Sequence, residues 1–271
     1  DAIGRTIPLE IAAKRYIDFV RSSAGDSDEL LSGMTIALDC ANGASYETSE
    51  AILRSLGATV KVFHHHPNGV NINEACGCTH AEIIESLVRE HGADVGVSHD
   101  GDADRVLLCD ETGSVLDGDE LMAIAAIAMI EAGTLKEKTL VEHGYNLGGE
   151  LCGHFIFLDH NTTGDGIVSA VQLLKTMREM GKPLSELRKV LTKFPQAQRN
   201  VRVSSKPEMT DLSCAPKIDE IEASLGESGR VLLRYSGTEP LLRILIEGRD
   251  EALINEWADQ LVELISDEIG A

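Results

Sequence analysis

Between Met34 and Ser98 the chain alternates short β-rich runs with helical patterns, and this alternation limits its fold more than any other feature. The runs Met34–Asp39, Thr59–Phe63 and Asp94–Ser98 are too short for helices. Between them lie a helical pattern through Ala51, Ile52, Leu53 and Leu56 that stops at Gly57, and a second over Ala81–His91. Strands alternating with helices predict a parallel sheet joined by right-handed crossovers. Such sheets collect ligands at the carboxyl ends of their strands, which directs attention to the loop opening at Asp100.

The pattern extends in both directions. Ile11, Tyr16, Phe19 and Val20 can share one face of a lead-in helix over Ile11–Ser22. Val106–Cys109 and Ser114–Leu116 read as a hairpin turning at Gly113, and Asp117-Gly-Asp119 introduces an apolar helix over Glu120–Ala132. A third unit runs from Tyr145 through the strand Phe155–Leu158 and the loop Asp159–Gly166 into a helix over Ile167–Met180. From Phe194 onward, strands at Asn200–Val203, Arg230–Arg234 and Leu242–Glu247 with helices near Pro216–Leu225 and Glu251–Ile269 predict an independent α+β domain. The fold class is α/β, and 271 residues with 43% hydrophobic content suffice for two domains or three small ones, divided here as 1–116, 117–190 and 191–271.

Charge narrows the partners. With 24 Lys and Arg against 45 Asp and Glu the net charge is −21, a field that repels nucleic acid and anionic lipid, so an anionic substrate requires a local basic pocket. The six cysteines form no CxxC pair, and reduced thiols in a cytoplasmic protein are the simplest reading; Cys76-Gly-Cys78 near His80 lacks a second ligand pair for a soft metal. The apolar run Leu121–Ile130 is too short to span a bilayer. The opening Asp1-Ala-Ile-Gly-Arg5 carries neither a secretion-signal pattern nor an initiator Met, and is read as a cut point.

The sharpest chemical signal is Asp100-Gly-Asp102-Ala-Asp104-Arg105. Three carboxylates at alternate positions of a tight loop converge oxygens suited to a hard divalent cation such as Mg²⁺, and without one they raise each other's pKa. A calcium loop of EF-hand type is opposed by Arg105, where such loops turn on Gly, and by flanks that read as strands. The neighbours Ser98-His99-Asp100 cannot form a nucleophile triad, which is assembled from distant segments. Consecutive His64-His65-His66 alternate faces along a strand and are read as a solvated strand end.

Two further motifs carry weaker signals. Arg234-Tyr-Ser236-Gly237-Thr238-Glu239, closed by Arg243, offers hydroxyls, close backbone N–H groups and two forked cations, a combination suited to a phosphate monoester; the alternative is a polar hairpin with its arginines in water. Glu150, Cys152 and His154 lie among glycines and can supply acceptors and donors to vicinal sugar hydroxyls, though a glycine-rich turn with a structural His fits equally.

In order and content these motifs resemble the α-D-phosphohexomutases. Asp39-Cys-Ala-Asn-Gly43, Asn71-Ile-Asn73, Asn161-Thr-Thr-Gly-Asp-Gly166, Phe194-Pro-Gln196 and Tyr235 are similar to the phosphoglucosamine mutase branch more than to the phosphomannomutase or phosphoglucomutase branches. The resemblance implies three-layer α/β/α domains with mixed sheets plus the C-terminal α+β domain. It assigns 1–116 as a second domain with the metal loop, 117–190 as a shortened third domain with the sugar loop, and 191–271 as the phosphate-binding domain. It further implies a cytoplasmic isomerase interconverting glucosamine 6-phosphate and glucosamine 1-phosphate through a phosphoserine and a bisphosphate, toward UDP-N-acetylglucosamine and the cell wall. Asp100, Asp102 and Asp104 would hold Mg²⁺, with Arg105 and His154 as catalytic residues and Glu150 and Cys152 against the sugar. Arg234, Ser236, Gly237, Thr238 and Arg243 would grip the phosphate not being transferred. The implied partner is a hexosamine phosphate, not nucleic acid or membrane, and a homodimer is left open.

Three departures accompany the resemblance. The family's first domain, with its Ser-His-Asn loop, is expected to be absent, and the third domain to be shortened where Lys138-Thr-Leu-Val141 runs into Glu142-His-Gly144. Leu151 and Cys152 stand where Gln and Ser are usual. Family membership with impaired or absent activity is the resulting expectation. The rivals are a mutase for mannose or glucose phosphates, a non-catalytic sugar-phosphate binder and a calcium-binding module.

Overall fold

A computed structural model of the protein describes residues 9, 11–136 and 145–271, which fall into two compact units, 1–191 and 192–271. The stretch at which the third domain was expected to be shortened, 138–144, lies outside the described residues, as do 1–8.

In the first unit α1 (Ala12–Ser23) leads into β1 (Thr35–Asp39), α2 (Thr48–Ser55), β2 (Thr59–Phe63), α3 (Ala81–His91), β3 (Val95–His99), β4 (Val106–Asp110) and β5 (Val115–Leu116). The sheet order is β2-β1-β3-β4-β5, with β1 parallel to both β2 and β3, and with β4 antiparallel to β3 and β5. The central strands are buried on both faces, which is why they lack polar alternation. Ile36, Leu38, Val95, Val97 and Leu108 face one core, shared with residues of α1 and α2; Ala37 and Cys109 face the other, beneath Ile84 and Val88 of α3. Gly96 lets α3 lie close, because a Cβ there would come within 2.6 Å of Ile84.

The first core continues through α4 (Gly118–Glu131), the two-stranded β6 (Leu147–Gly149) and β7 (Phe155–Phe157), and α5 (Gly166–Met180). Asp117 and Glu120 form a capping box on α4, and Asp165 caps α5 by accepting from the N–H groups of Ile167 and Val168. After α6 (Leu184–Leu187) a 3₁₀ turn carries Arg188, whose guanidinium donates to Asp110 Oδ2 (3.0 Å), Ser114 Oγ (2.8 Å) and Glu120 Oε1 (2.9 Å). Burial disfavours the Asp110 carboxylate, but hydrogen bonds from the Thr112 hydroxyl, the Ser114 N–H, Arg188 and the Thr112 N–H outweigh it and hold the carboxyl below its ordinary pKa.

The second unit packs α7 (Ala215–Leu225) and α8 (Glu251–Ile269) on an antiparallel sheet, β8 (Gln196–Arg202), β9 (Arg230–Tyr235) and β10 (Leu241–Glu247), in the order β8-β10-β9. Ile254, Trp257, Ala258, Leu261 and Ile265 of α8 recur at helical spacing and meet Ile244 and Ile246 of β10. The other face of the sheet is open, and Leu232 keeps 45% of its surface there.

β6 and β8 differ from the sequence expectation. β6 was read only as part of a glycine-rich loop; Gly149 serves as strand because a Cβ would lie 2.5 Å from the Phe155 ring. β8 begins four residues before Asn200, since only Ala197 and Val201 of that segment turn inward and the apolar signal is correspondingly weak.

Candidate active site

The sheet order places the ends of β1 and β3 side by side where the winding reverses direction, the position at which open α/β sheets bind ligands. Asp100–Arg105 leaves β3 there and returns as β4. Ala103 adopts a left-handed φ of 63°, its N–H donates to Asp100 O, and the Arg105 N–H donates to Asp100 Oδ1. This tight turn brings one carboxylate oxygen each from Asp100, Asp102 and Asp104 within 4.8 Å of one another. Asp100 is buried, and burial followed by the charges of Asp102 and Asp104 raises its pKa, opposed by the Arg105 N–H and guanidinium. Arg105 Nε lies 3.1 Å from Asp100 Oδ2 and 3.5 Å from Asp104 Oδ1, yet Asp104 Oδ1 is buried and accepts no hydrogen bond. A buried carboxylate oxygen that accepts no hydrogen bond, on a residue whose oxygen converges with two other carboxylates, fits a hard divalent cation.

Glycines hold this turn from two sides. A Cβ on Gly43 would lie 2.2 Å from Gly101 O, and the N–H of Ala44 donates to that same oxygen at 2.8 Å. A Cβ on Gly166 would lie 2.3 Å from Arg105 O, while the Gly166 N–H donates to Ala103 O. Beneath the turn, buried His99 accepts from Ser49 through Nε2 (3.0 Å) and donates from Nδ1 to Arg105 O (3.3 Å). Burial pushes its pKa down to about 4, so it serves as a neutral strut. The discarded Ser98-His99-Asp100 triad is absent as geometry: Ser98 Oγ is buried without a partner.

The sugar loop belongs to the same unit. Residues 150–154 form the tip between β6 and β7, closed by Glu150 N–H to His154 O and Gly153 N–H to Glu150 O. The tip docks on the metal loop: the Val106 N–H donates to Gly153 O, and Arg105 and His154 form a β-bridge. His154 Nδ1 lies 3.2 Å from Asp104 Oδ2, and its ring covers Gly164, where a Cβ would lie 2.2 Å from Nε2. Glu150 and Leu151 are exposed, and so is Cys152, whose thiol donates to Glu150 Oε2 at 3.4 Å. Tyr16, read from sequence only as a helix-face residue, donates its hydroxyl to both Asp165 oxygens at 2.8 and 2.9 Å and thereby fixes the 161–166 loop; nothing in its local sequence signals this.

In the second unit Arg234 and Arg243 face one another across β9 and β10 on the open side of the sheet. Like charges directly opposite are unfavourable without an anion. They line a hollow of about 400 Å³ with Gln198, Asn200, Leu232 and Leu245. Ser236 Oγ accepts from the Glu239 N–H, and Arg243 pairs with Glu239 at 3.4 Å. Lys206, missed in sequence because Ser204-Ser-Lys206 carries no pattern, donates to Ser236 O at 2.6 Å. Gly237 has open space around it.

Comparison with known proteins identifies the chain's relatives. Residues 14–113 match the phosphoglucomutase/phosphomannomutase α/β/α domain II, residues 136–194 domain III, and residues 176–264 the C-terminal domain of that family. The phosphoglucosamine mutase of Geotalea daltonii is 44% identical over 304 residues, covering 99% of this chain and 67% of the relative. The chain belongs to the phosphoglucosamine mutase family of phosphohexomutases. The Acetivibrio thermocellus member is 40% identical over 309 residues, covering 100% of this chain and 68% of its own length. The chain thus spans about two thirds of the relatives it matches. An alignment of 304 positions against 271 residues leaves at least 33 positions (304 less 271) of the Geotalea daltonii protein without a counterpart.

The fold agrees with solved family structures. N-acetylphosphoglucosamine mutase of Aspergillus fumigatus, in complex with GlcNAc-6P and magnesium, superposes with a TM-score of 0.68 at 19% identity over 95% of this chain and 66% of that one. A phosphoglucomutase/phosphomannomutase family protein from Burkholderia thailandensis gives 0.69 at 16% identity over 96% of this chain and 66% of its own. Among the described residues no helix is long and apolar enough to cross a membrane.

Proposed function

We propose that this chain supplies the cation, sugar and phosphate sites of a phosphoglucosamine mutase, which interconverts glucosamine 6-phosphate and glucosamine 1-phosphate by phosphoryl transfer through a phosphoserine. The observation that carries this reading is the docking of the sugar-loop tip on the aspartate loop, with His154 Nδ1 3.2 Å from Asp104 Oδ2. In this reading the division is 1–116 with the metal loop, 117–190 with the sugar loop and 191–271 with the phosphate loop.

Asp100, Asp102 and Asp104 would hold Mg²⁺, which when bound neutralises charge on the transferring phosphoryl group. Arg105, already tied to Asp100 and Asp104, presents a cation to the phosphoryl oxygens from the same turn. Asp104 orients the His154 ring over Gly164, so that imidazole and the Glu150 carboxylate meet sugar hydroxyls as paired groups. The Cys152 thiol, a weaker donor than a hydroxyl, reduces the hydrogen bonding available to the sugar. Arg234 and Arg243, with Ser236, Gly237 and Thr238 between the strands, grip the phosphate that is not transferred.

The family's Ser-His-Asn string does not occur in the 271 residues, so the phosphoryl donor is not among the groups assigned here. This chain alone is therefore expected to bind substrate without turning it over. Calorimetric titration with Mg²⁺, Ca²⁺ and glucosamine 6-phosphate tests the assignment, and a panel of mannose and glucose phosphates tests the sugar. Binding of Mg²⁺ and of glucosamine 6-phosphate supports it; tight Ca²⁺ binding with no response to any sugar phosphate refutes it.

A further inference from the structure

Next to the aspartate turn, at the carboxyl ends of β1 and β2, lies a second group of ligand-type side chains. One donor atom each from Asp39, His64 and Cys76 lies within 4.8 Å of the others. Asp39 ends β1, His64 follows β2, and Cys76 comes from the loop preceding α3. His64 departs from the solvated strand end expected of the triple histidine. Its φ of 47° turns the chain, the Asn42 N–H donates to its carbonyl, and the half-buried ring faces Asp39.

The polar accounting of this pocket is incomplete. Asp39 is wholly buried and receives the N–H groups of Ala41 and Gly77, both at 2.9 Å, which leaves its negative charge without a full cationic partner. His64 Nδ1 lies 3.1 Å from Asp39 Oδ1, yet it is buried and makes no hydrogen bond. Asn73 Oδ1, on the adjoining loop and close to Gly77, is buried and unpartnered as well. Cys76 is wholly buried, and Asn42 Nδ2 lies 3.8 Å from its sulfur.

We propose that Asp39, His64 and Cys76 bind a zinc-type divalent cation, at a second metal site separate from Asp100, Asp102 and Asp104. One carboxylate, one neutral imidazole and one thiolate balance a doubly charged ion, and the mixed O, N and S donors select zinc over magnesium. The thiol proton leaves to solvent as the Cys76 sulfur–metal bond forms, and water or Asn73 completes the coordination. The ion would act structurally. The Gly77 N–H donates to Asp39 and the Cys78 N–H donates to His99 O, so a tied Cys76 fixes the end of β3 one residue before the aspartate turn. This inference does not depend on the mutase reading.

The test uses the purified 271-residue chain. Zinc affinity is measured against a chromophoric chelator, sulfur ligation by X-ray absorption at the zinc edge, and cobalt substitution by its thiolate charge-transfer band. One zinc with one sulfur ligand is expected. C76S and H64N should each weaken binding by at least about tenfold, whereas C152S and D102N retain it. Circular dichroism of the metal-free variants checks folding, and H64N, at a partly exposed residue, carries the test should C76S misfold. No zinc bound, no sulfur in the shell, binding unchanged by both C76S and H64N, or binding lost in D102N overturns the proposal. The first of these outcomes leaves Asp39 and His64 as metal-free neighbours.

Discussion

The metal loop and the phosphate loop are both hairpin connections, and they are supported in opposite ways. Around the aspartate turn, Gly43 and Gly166 lie so close to backbone oxygens that no side chain fits, and His99 props the turn from beneath. Around the phosphate loop, Gly237 meets nothing, and the ties are hydrogen bonds from the Lys206 ammonium to Ser236 O, from the Ser236 N–H to Leu241 O and from the Glu239 N–H to Ser236 Oγ. The difference follows from the task. Three like charges separate unless the backbone is clamped, whereas two arginines awaiting an anion need room to adjust.

The largest expected effect tests this contrast directly. Gly43→Ala forces a methyl against Gly101 O and should cost about 3 kcal/mol or more, whereas Gly237→Ala should stay within about 0.5 kcal/mol. Urea unfolding followed by circular dichroism measures both, and equal losses would erase the distinction. A comparable effect comes from pH. Folded His99 takes a proton only below about 4 whereas the unfolded chain takes it near 6.5, so the unfolded state binds more protons across that window. The contribution is complete above pH 6.5 and is lost as pH falls toward 4, by up to about 3 kcal/mol. His99→Gln should flatten that part of a stability-versus-pH curve.

Ligand protection comes next in size. Mg²⁺ at one hundred times its Kd should stabilise the chain by about 2.7 kcal/mol, with slowed hydrogen exchange over 98–106 and none over 234–243. Inorganic phosphate should protect the second segment and spare the first. Asp102→Asn should abolish the magnesium response, and protection of both segments by either ligand would contradict independent sites. The smallest effect is expected of Arg243→Lys, which keeps the charge and loses the fork: affinity for glucosamine 6-phosphate should fall by about tenfold or less with no change in melting temperature.

Much of this was legible in sequence, for reasons that can be stated residue by residue. β2, α3 and α8 have the boundaries that apolar periodicity predicted, because buried faces fix where their patterns start and stop. The Asp100–Arg105 turn was legible because alternate carboxylates have few other uses. Its supports were not. Gly43 and Gly166 matter through what they nearly touch across dozens of residues, Tyr16 through a hydrogen bond to a residue 149 positions away, and His64 through a turn that strand periodicity cannot foresee. β6 was hidden because Gly148 and Gly149 argue against a strand until the Phe155 ring beside them is seen.

The reversal of β4 against β3 has a consequence in time. The aspartates lie on a connection between adjacent antiparallel strands, so their turn closes between neighbours close in sequence and is then clamped by Gly43 and Gly166 from far along the chain. During synthesis Gly43 has already emerged when this hairpin does, while Gly166 follows some sixty residues later (166 less 105 is 61). A nascent chain halted between those points should already capture magnesium, loosely, before the sugar-binding tip exists to cover it.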